Sequence, residues 1–370
     1  MRIFHLVPNL NFGGLQKVVH LLAVSQRHSG HSVTIGCWTN VSNHPEAECE
    51  LDRAGVHVVH VRRAADGGML SGRTCLLKKL RKVLLATQAD ILHIHNPFNY
   101  YLYGALAGRA AGRMKIVNTI HITAMFDHPR FGRRGRTLFR AAALFSDGLV
   151  SVCPEVDTFL RSRFFLPGLR RFVVDNGIAL APFLAVPARH SRDEVVFGFA
   201  GRMAPEKNHR VLIEAFGLLR LRHSRVRLRL LGSGPLEPDL KQQVCNQGLT
   251  DSVDFCGFGH DVPGFLNGLD VYALPSDFEG LPLSLLEAIA SGLPVVATAV
   301  DGVPRIVEST NSGWLCPPNN PDALMTSMEA AIACPDRRER GERSRRLLAQ
   351  EYSAERMAAG YERVYQQLLH

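Results

Sequence analysis

The chain has 370 residues, 46% hydrophobic and 21% charged, proportions that fit a soluble globular protein with room for two domains. No apolar run nears the ~18 residues a membrane span needs, and the eight scattered cysteines lack C-x-x-C or finger spacing, which argues against a zinc site or disulfide framework. The net charge of +9 is lopsided: residues 1–185 carry 23 Lys and Arg against 11 Asp and Glu, whereas residues 186–370 carry 20 against 23, so the first half asks for an anionic partner.

Met1–Pro8 reads as a strand, too short for a signal-peptide core. A loop with Gly13 and Gly14 follows, then an amphipathic helix from Gln16 to about Ser29 and a strand at Val33–Trp38. A βαβ opening with glycines at its first turn predicts a parallel sheet and close backbone approach to a phosphate. The pair lacks the spacing of a dinucleotide fingerprint. Further strands are expected at Val56–Val61, Ala89–Asn96, Lys115–His121, Leu149–Cys153 and Phe172–Ile178, with a helix at Tyr100–Gly112. His93 and His95 share one strand face, but no third ligand at convincing spacing supports a metal.

Two basic stretches stand out. In Leu76–Leu85, Lys78, Lys79, Arg81 and Lys82 interleave with leucines; as a helix, Leu77, Leu80 and Leu84 share a face, as in an interfacial helix. The second, Asp127–Phe145, holds Arg130, Arg133, Arg134, Arg136 and Arg140 among Phe131, Leu138 and Phe139. These stretches suggest an anionic membrane surface as a possible partner. No helix-turn-helix, RRM or finger pattern accompanies them, which argues against nucleic acid.

Prolines and charges over residues 179–194 mark an interdomain linker. Val195–Ala200 opens a second sheet and leads into a loop with Arg202 and Lys207, two cations suited to a diphosphate. Strands follow at Arg227–Leu231 and Val253–Gly257. The apolar run Val271–Leu274 precedes a loop with Glu279 and Gly280, then a helix from Pro282 to about Ser291 closed by Gly292. The first-turn N–H groups of Leu283, Ser284 and Leu285 suit a phosphate. Carboxylates beside such a site would repel it unless they met hydroxyls, so Glu279 and Glu287 read as sugar and ribose binders. Strands at Val295–Thr298 and Gly313–Cys316, helices near 321–333 and 336–350, and a last helix from Tyr352 complete the chain.

Glu279 and Glu287, eight apart and followed by a Leu-Leu-Glu-Ala-x-Ala-x-Gly-x-Pro-Val-Val run, resemble the donor-site signature of retaining GT-B glycosyltransferases, in particular the large family numbered four. Arg202 and Lys207 are similar to that family's Gly-Arg…Lys-Asn pair, and His121 to its strand-end histidine. The turn Asn176-Gly177-Ile178 is similar to its Asn-Gly-Ile-Asp, with Ala179 in place of the Asp.

The resemblance implies an α/β fold of two Rossmann-like parallel-sheet domains facing across a cleft. Residues 1–185 would form the acceptor side and 186–352 the nucleotide-sugar domain, with 353–370 a helix crossing back to the first. The implied reaction moves a sugar from a nucleoside diphosphate sugar to an acceptor hydroxyl, with retention and without metal or other cofactor. Arg202, Lys207, Glu279 and His121 would be catalytic, and Gly13, Gly14, Gly280, Leu283, Ser284, Leu285 and Glu287 would bind the donor. In this reading Glu279 holds donor-sugar hydroxyls and is no nucleophile, while Glu287 holds the ribose diol and the Gly13-Gly14 pair faces the diphosphate. A glycan or lipid-linked acceptor fits polysaccharide, lipopolysaccharide or glycolipid assembly by a cytoplasmic enzyme, peripheral on the membrane. A GT-B nucleotide-sugar epimerase is the alternative.

Overall fold

Apolar runs buried on both faces build the central strands of the two sheets. The computed structural model describes residues 1–370 except 12, 39–44, 62–72, 96–98, 124–125, 127–131, 185–193 and 260. Arg130, Phe131 and most of the expected linker thus lie outside the described residues, as does the side chain of Arg134. The chain divides into two units, Met1–Gly177 with Ala354–His370, and Ile178–Ser353.

The first unit runs β1 (Arg2–Val7), α1 (Gly14–His28), β2 (Ser32–Cys37), α2 (Pro45–Arg53), β3 (His57–His60), α3 (Arg73–Thr87), β4 (Ile91–His95), α4 (Asn99–Ala111), β5 (Lys115–Ile120), α5 (Gly132–Leu144), β6 (Gly148–Ser151), α6 (Pro154–Arg163) and β7 (Arg170–Val173). All pairings are parallel, in the order β3-β2-β1-β4-β5-β6-β7. The order reverses between β1 and β4, so the crevice beyond their carboxyl ends is the expected ligand position.

The second unit holds α7 (Ala181–Leu184), β8 (Val195–Ala200), α8 (His209–Arg222), β9 (Val226–Leu231), α9 (Glu237–Asn246), β10 (Val253–Phe255), α10 (Val262–Asn267), β11 (Val271–Leu274), α11 (Leu283–Ala290), β12 (Val295–Thr298), α12 (Val303–Thr310), β13 (Gly313–Cys316), α13 (Pro321–Ala333) and α14 (Arg337–Glu351). Its sheet is also parallel, in the order β10-β9-β8-β11-β12-β13, and reverses between β8 and β11. Caps are set locally: the Asn320 side chain accepts from the Ala323 N–H at 2.9 Å, with Pro321 in the first turn of α13. Ala181–Leu184, expected as linker, is a helical turn packed against α11.

The last helix, α15 (Ala354–Leu369), returns to the first unit and packs on α1 and β5. Met357, Tyr361, Val364, Tyr365 and Leu368 recur at helical spacing and are all buried.

Helices α2, α6 and α12 were not expected from the sequence. For α6 the signal was present, with Pro154 at the first position and Glu155 and Asp157 in the first turn. The interfacial reading of α3 needs correction. Leu80 and Leu84 are fully buried and α3 packs on α4, so the centre of its apolar stripe is already covered, while Lys78, Arg81, Lys82 and Leu85 are exposed.

Candidate active site

Within the second unit, the loops after β8 and β11 meet where the sheet order reverses. Beyond β8, Gly201–Met203 rests on the glycine loop after β9. Gly232 has φ +135°, and a Cβ there would lie 2.1 Å from the Gly201 carbonyl oxygen; at Gly234 it would lie 2.4 Å from that of Met203. Only glycine permits both the backbone angle at 232 and the contact. The Met203 N–H donates to the Ser233 carbonyl at 3.0 Å, tying the loops together.

The turn Pro205–Lys207 carries the loop into α8 through Asn208, which is left-handed at φ 45°. Asn tolerates this conformation better than most residues. Its carboxamide nitrogen donates to Asp277 Oδ1 and to Asn319 Oδ1, both at 2.7 Å. Arg202 is exposed and donates to Glu206 Oε1 at 2.6 Å. Lys207 turns the other way, and its Nζ donates to Glu279 Oε1 at 2.6 Å.

Glu279 is buried, and its N–H donates to Asp301 Oδ2 at 2.9 Å. The Gly280 carbonyl accepts from the Gly302 N–H at 3.1 Å, so this loop is clamped from α12's side. Helix α11 then begins at Leu283 with no side-chain cap, which leaves the N–H groups of Leu283, Ser284 and Leu285 at a positive helix end. Ser284 hydrogen-bonds the Tyr272 hydroxyl, while Leu283 and Leu285 are buried in the core. Glu287, one turn further on, is also buried. Burial raises the Tyr272 hydroxyl well above its ordinary range, and the charges of Glu287 and Glu279 add to this. The arrangement is thus two buried carboxylates, two cations and an open helix start on adjacent loops. Such a set can meet hydroxyls and a diphosphate together.

Gly13, Gly14 and His121 stand in the first unit. Gly13 is extended (φ 175°), a conformation open to any residue, and a Cβ on Gly14 would meet nothing within 4 Å. His121 follows β5, and its Nε2 lies 3.2 Å from His95 Nδ1. Burial holds its pKa down to about 4, so the ring is neutral at pH 7.

Sequence reasoning missed several of these partners. His5, from β1, brings a ring nitrogen within 4.8 Å of those of His93 and His95, a grouping of three potential metal ligands. Glu206, Asp277, Asp301 and Asn319, which brace the loops of the second unit, were not singled out either. Asn208, Asp301 and Asn319, all left-handed (φ 45°, 42° and 55°), left a trace as turn-forming residue types.

Comparison with known proteins bears on this geometry. The family described as "Glycosyl transferases group 1" matches residues 185–347, and "Glycosyltransferase Family 4" matches residues 12–181. WcaL of Escherichia coli K12 is 35% identical over 162 residues, which are 42% of this chain and only 40% of WcaL. The Escherichia coli UDP-Gal:alpha-D-GlcNAc-diphosphoundecaprenol alpha-1,3-galactosyltransferase is 27% identical over 271 residues, 68% of either chain. Among solved structures, Anabaena HepE in complex with UDP-glucose superposes with a TM-score of 0.80 at 19% identity, over 99% of this chain and all of HepE. That likeness supports the expected GT-B fold of two Rossmann-like domains.

Proposed function

Because this chain belongs to the glycosyltransferases of group 1 and family 4, we propose that it moves a sugar from a nucleoside diphosphate sugar to an acceptor hydroxyl, with retention at the anomeric carbon and no metal ion. The observation that carries the reading is the meeting of Lys207 and Glu279 ahead of the open start of α11, with Arg202 on the same loop as Lys207, at the reversal of the second sheet. As the glycosidic bond breaks, negative charge gathers on the β-phosphate. Arg202, Lys207 and the first-turn N–H groups of α11 neutralise it, a preorganised electrostatic stabilisation. Glu279 holds donor-sugar hydroxyls, Glu287 the ribose diol, and the leaving phosphate takes the acceptor proton. In the first unit, neither backbone angle nor neighbouring atoms account for glycine at 14. Close approach of a phosphate to bare backbone does, and His121 lines the sugar.

The acceptor is a glycan or a lipid-linked saccharide in polysaccharide or glycolipid assembly. Similarity to a galactosyltransferase whose named acceptor is a diphosphoundecaprenol-linked sugar supports the lipid-linked choice. No described helix is long and apolar enough to cross a membrane. The cationic faces of α3 and α5 instead bring the enzyme to the anionic cytoplasmic leaflet by charge alone.

Saturation-transfer NMR with a panel of nucleotide sugars tests donor binding. The anomeric configuration of the product made from the bound donor then tests retention, with chelator added to test the metal-free step. Failure of every nucleotide sugar to bind overturns the reading. Donor conversion without acceptor points to an epimerase instead.

A further inference from the structure

A single file of hydrogen bonds crosses the interior of the first unit. His121 Nε2 lies 3.2 Å from His95 Nδ1, His95 Nε2 lies 3.0 Å from His5 Nδ1, and His5 Nε2 lies 2.7 Å from Gln26 Oε1. Beyond the carboxamide, Gln26 Nε2 donates to the Tyr365 hydroxyl at 3.4 Å, which lies 2.6 Å from His93 Nδ1. His93 Nε2 then lies 2.7 Å from Thr119 Oγ1, itself 3.2 Å from the Tyr361 hydroxyl. These residues come from β1, α1, β4, β5 with the position just after it, and α15, and all but His121 are buried.

Burial and bonding decide the charge. Among the described residues no carboxylate hydrogen-bonds any of these rings, His5, His93 and His95 are enclosed, and each His–His contact needs one bare nitrogen, so the file is one of neutral rings. A neutral imidazole has one N–H and one bare nitrogen. With the Gln26 carboxamide oxygen facing His5, as the structure places it, that rule fixes the hydrogens in turn. The Gln26 Oε1 can only accept, so His5 carries its hydrogen on Nε2 and leaves Nδ1 bare. His95 must then donate from Nε2, which leaves its own Nδ1 bare to accept from His121 Nε2. On the other side the Gln26 N–H donates to Tyr365, Tyr365 to His93 Nδ1, and His93 Nε2 to Thr119. Every bond runs in one sense.

We propose that the Gln26 carboxamide, acting through His5 and His95, fixes His121 as its Nε2–H tautomer and so presents a bare Nδ1 that accepts a hydrogen bond from a substrate hydroxyl. Gln26, His5 and His95 are then positioning residues. Among the described residues His121 makes this one ring hydrogen bond, through Nε2, and the residue keeps partial exposure. A bare ring nitrogen welcomes a hydroxyl and repels a phosphate oxygen, because both atoms offer lone pairs. The face beside His121 therefore selects the sugar part of a substrate over its phosphates. The hydroxyl's identity rests on the transferase reading, whereas the state of the ring does not.

Long-range proton–nitrogen NMR spectra of the full chain with ¹⁵N-labelled histidine, at pH 7, read each ring nitrogen directly, without turnover. Replacing each histidine in turn by Asn assigns the signals. The expected spectrum gives His121 a protonated Nε2 and a bare Nδ1, with the same tautomer at His95, His5 and His93. Gln26→Leu removes the terminal acceptor, and the His121 nitrogens then shift toward the average of the two tautomers. Gln26→Glu keeps an acceptor for His5 and retains the wild-type pattern at His121. A His121 protonated at Nδ1 or at both nitrogens in the wild type overturns the proposal, as does a Gln26→Leu spectrum unchanged at His121. Stoichiometric zinc that displaces the His5, His93 and His95 signals also overturns it, in favour of a metal centre. If Gln26→Leu does not fold, the wild-type and Gln26→Glu spectra decide.

Discussion

Lys207 and Glu279 lie 72 positions apart in sequence, yet the ammonium donates to the carboxylate at 2.6 Å, with side-chain exposures of 23% and 6%. Each neutralises the other, so neither stands as an isolated charge at the reversal of the sheet. In the proposed reading a donor's diphosphate and sugar hydroxyls draw on both groups at once. Removing the carboxylate leaves the ammonium half-buried and unpaired. Glu279→Ala should therefore cost roughly 1–3 kcal/mol of stability. Because Lys207 is then released toward anions, the variant should bind free nucleoside diphosphate as well as the wild type or better, while losing affinity for the nucleotide sugar. Urea unfolding and calorimetry with both ligands check this; equal loss of the two ligands would refute the sugar-side role.

Arg202→Ala and Lys207→Ala should each lower turnover about a hundredfold or more, the scale of losing one preorganised donor at a developing oxyanion. Arg202 is exposed and, among the described residues, paired only within its own loop, so its loss should leave the unfolding midpoint almost unchanged. Near-normal turnover in both folded variants would remove them from the site.

Glu287 is buried on α11, a turn beyond the open helix start. Glu287→Ala should weaken binding of the nucleotide itself, with and without its sugar, the opposite pattern to Glu279→Ala. Calorimetry with a ribonucleotide and its 2′-deoxy form tests the diol contact. A variant that still discriminates between them as the wild type does would assign the ribose elsewhere.

Stability should fall on mild acidification. Burial lowers His5, His121 and His209 to about 4, so between that value and the unfolded value of 6.5 the unfolded chain binds more protons than the folded one. The stabilising contribution is complete above pH 6.5 and is lost as pH falls toward 4. One such histidine is worth about 2 kcal/mol between pH 7 and pH 5. Chemical unfolding across this range should show the slope, reduced in His209→Gln; a flat profile contradicts it.

On the first unit, Lys78, Lys82 and Arg133 are exposed on α3 and α5, whereas Arg81 is committed to the Ala110 carbonyl at 2.8 Å. With Leu80 and Leu84 buried, the proposed membrane contact would be mainly electrostatic, at about 1 kcal/mol per cation. Flotation with anionic vesicles should succeed at low salt, weaken as salt rises, and drop when these three residues become Gln. Equal behaviour toward neutral vesicles, or no binding to either, would defeat membrane association and leave the transferase reading untouched.

The sequence by itself determined what contiguous residues can encode. The apolar run Val271–Leu274, Pro282 ahead of α11 and Gly292 behind it (φ +71°) set a strand, a loop and a helix wherever they stand in the fold. The spacing of Glu279 and Glu287 on that unit was equally legible, as were Arg202 and Lys207 behind β8. Only the tertiary structure decided which side chains face one another. Lys207 finds Glu279 because β8 pairs with β11 across the reversal of the sheet. His5 joins His93 and His95 because β1 pairs with β4. The centre of the stripe on α3 is covered because α4 packs against it. Strand order depends on crossovers spanning dozens of residues, and a buried polar group binds whichever partner that order brings near. Periodicity along the chain carries neither kind of information.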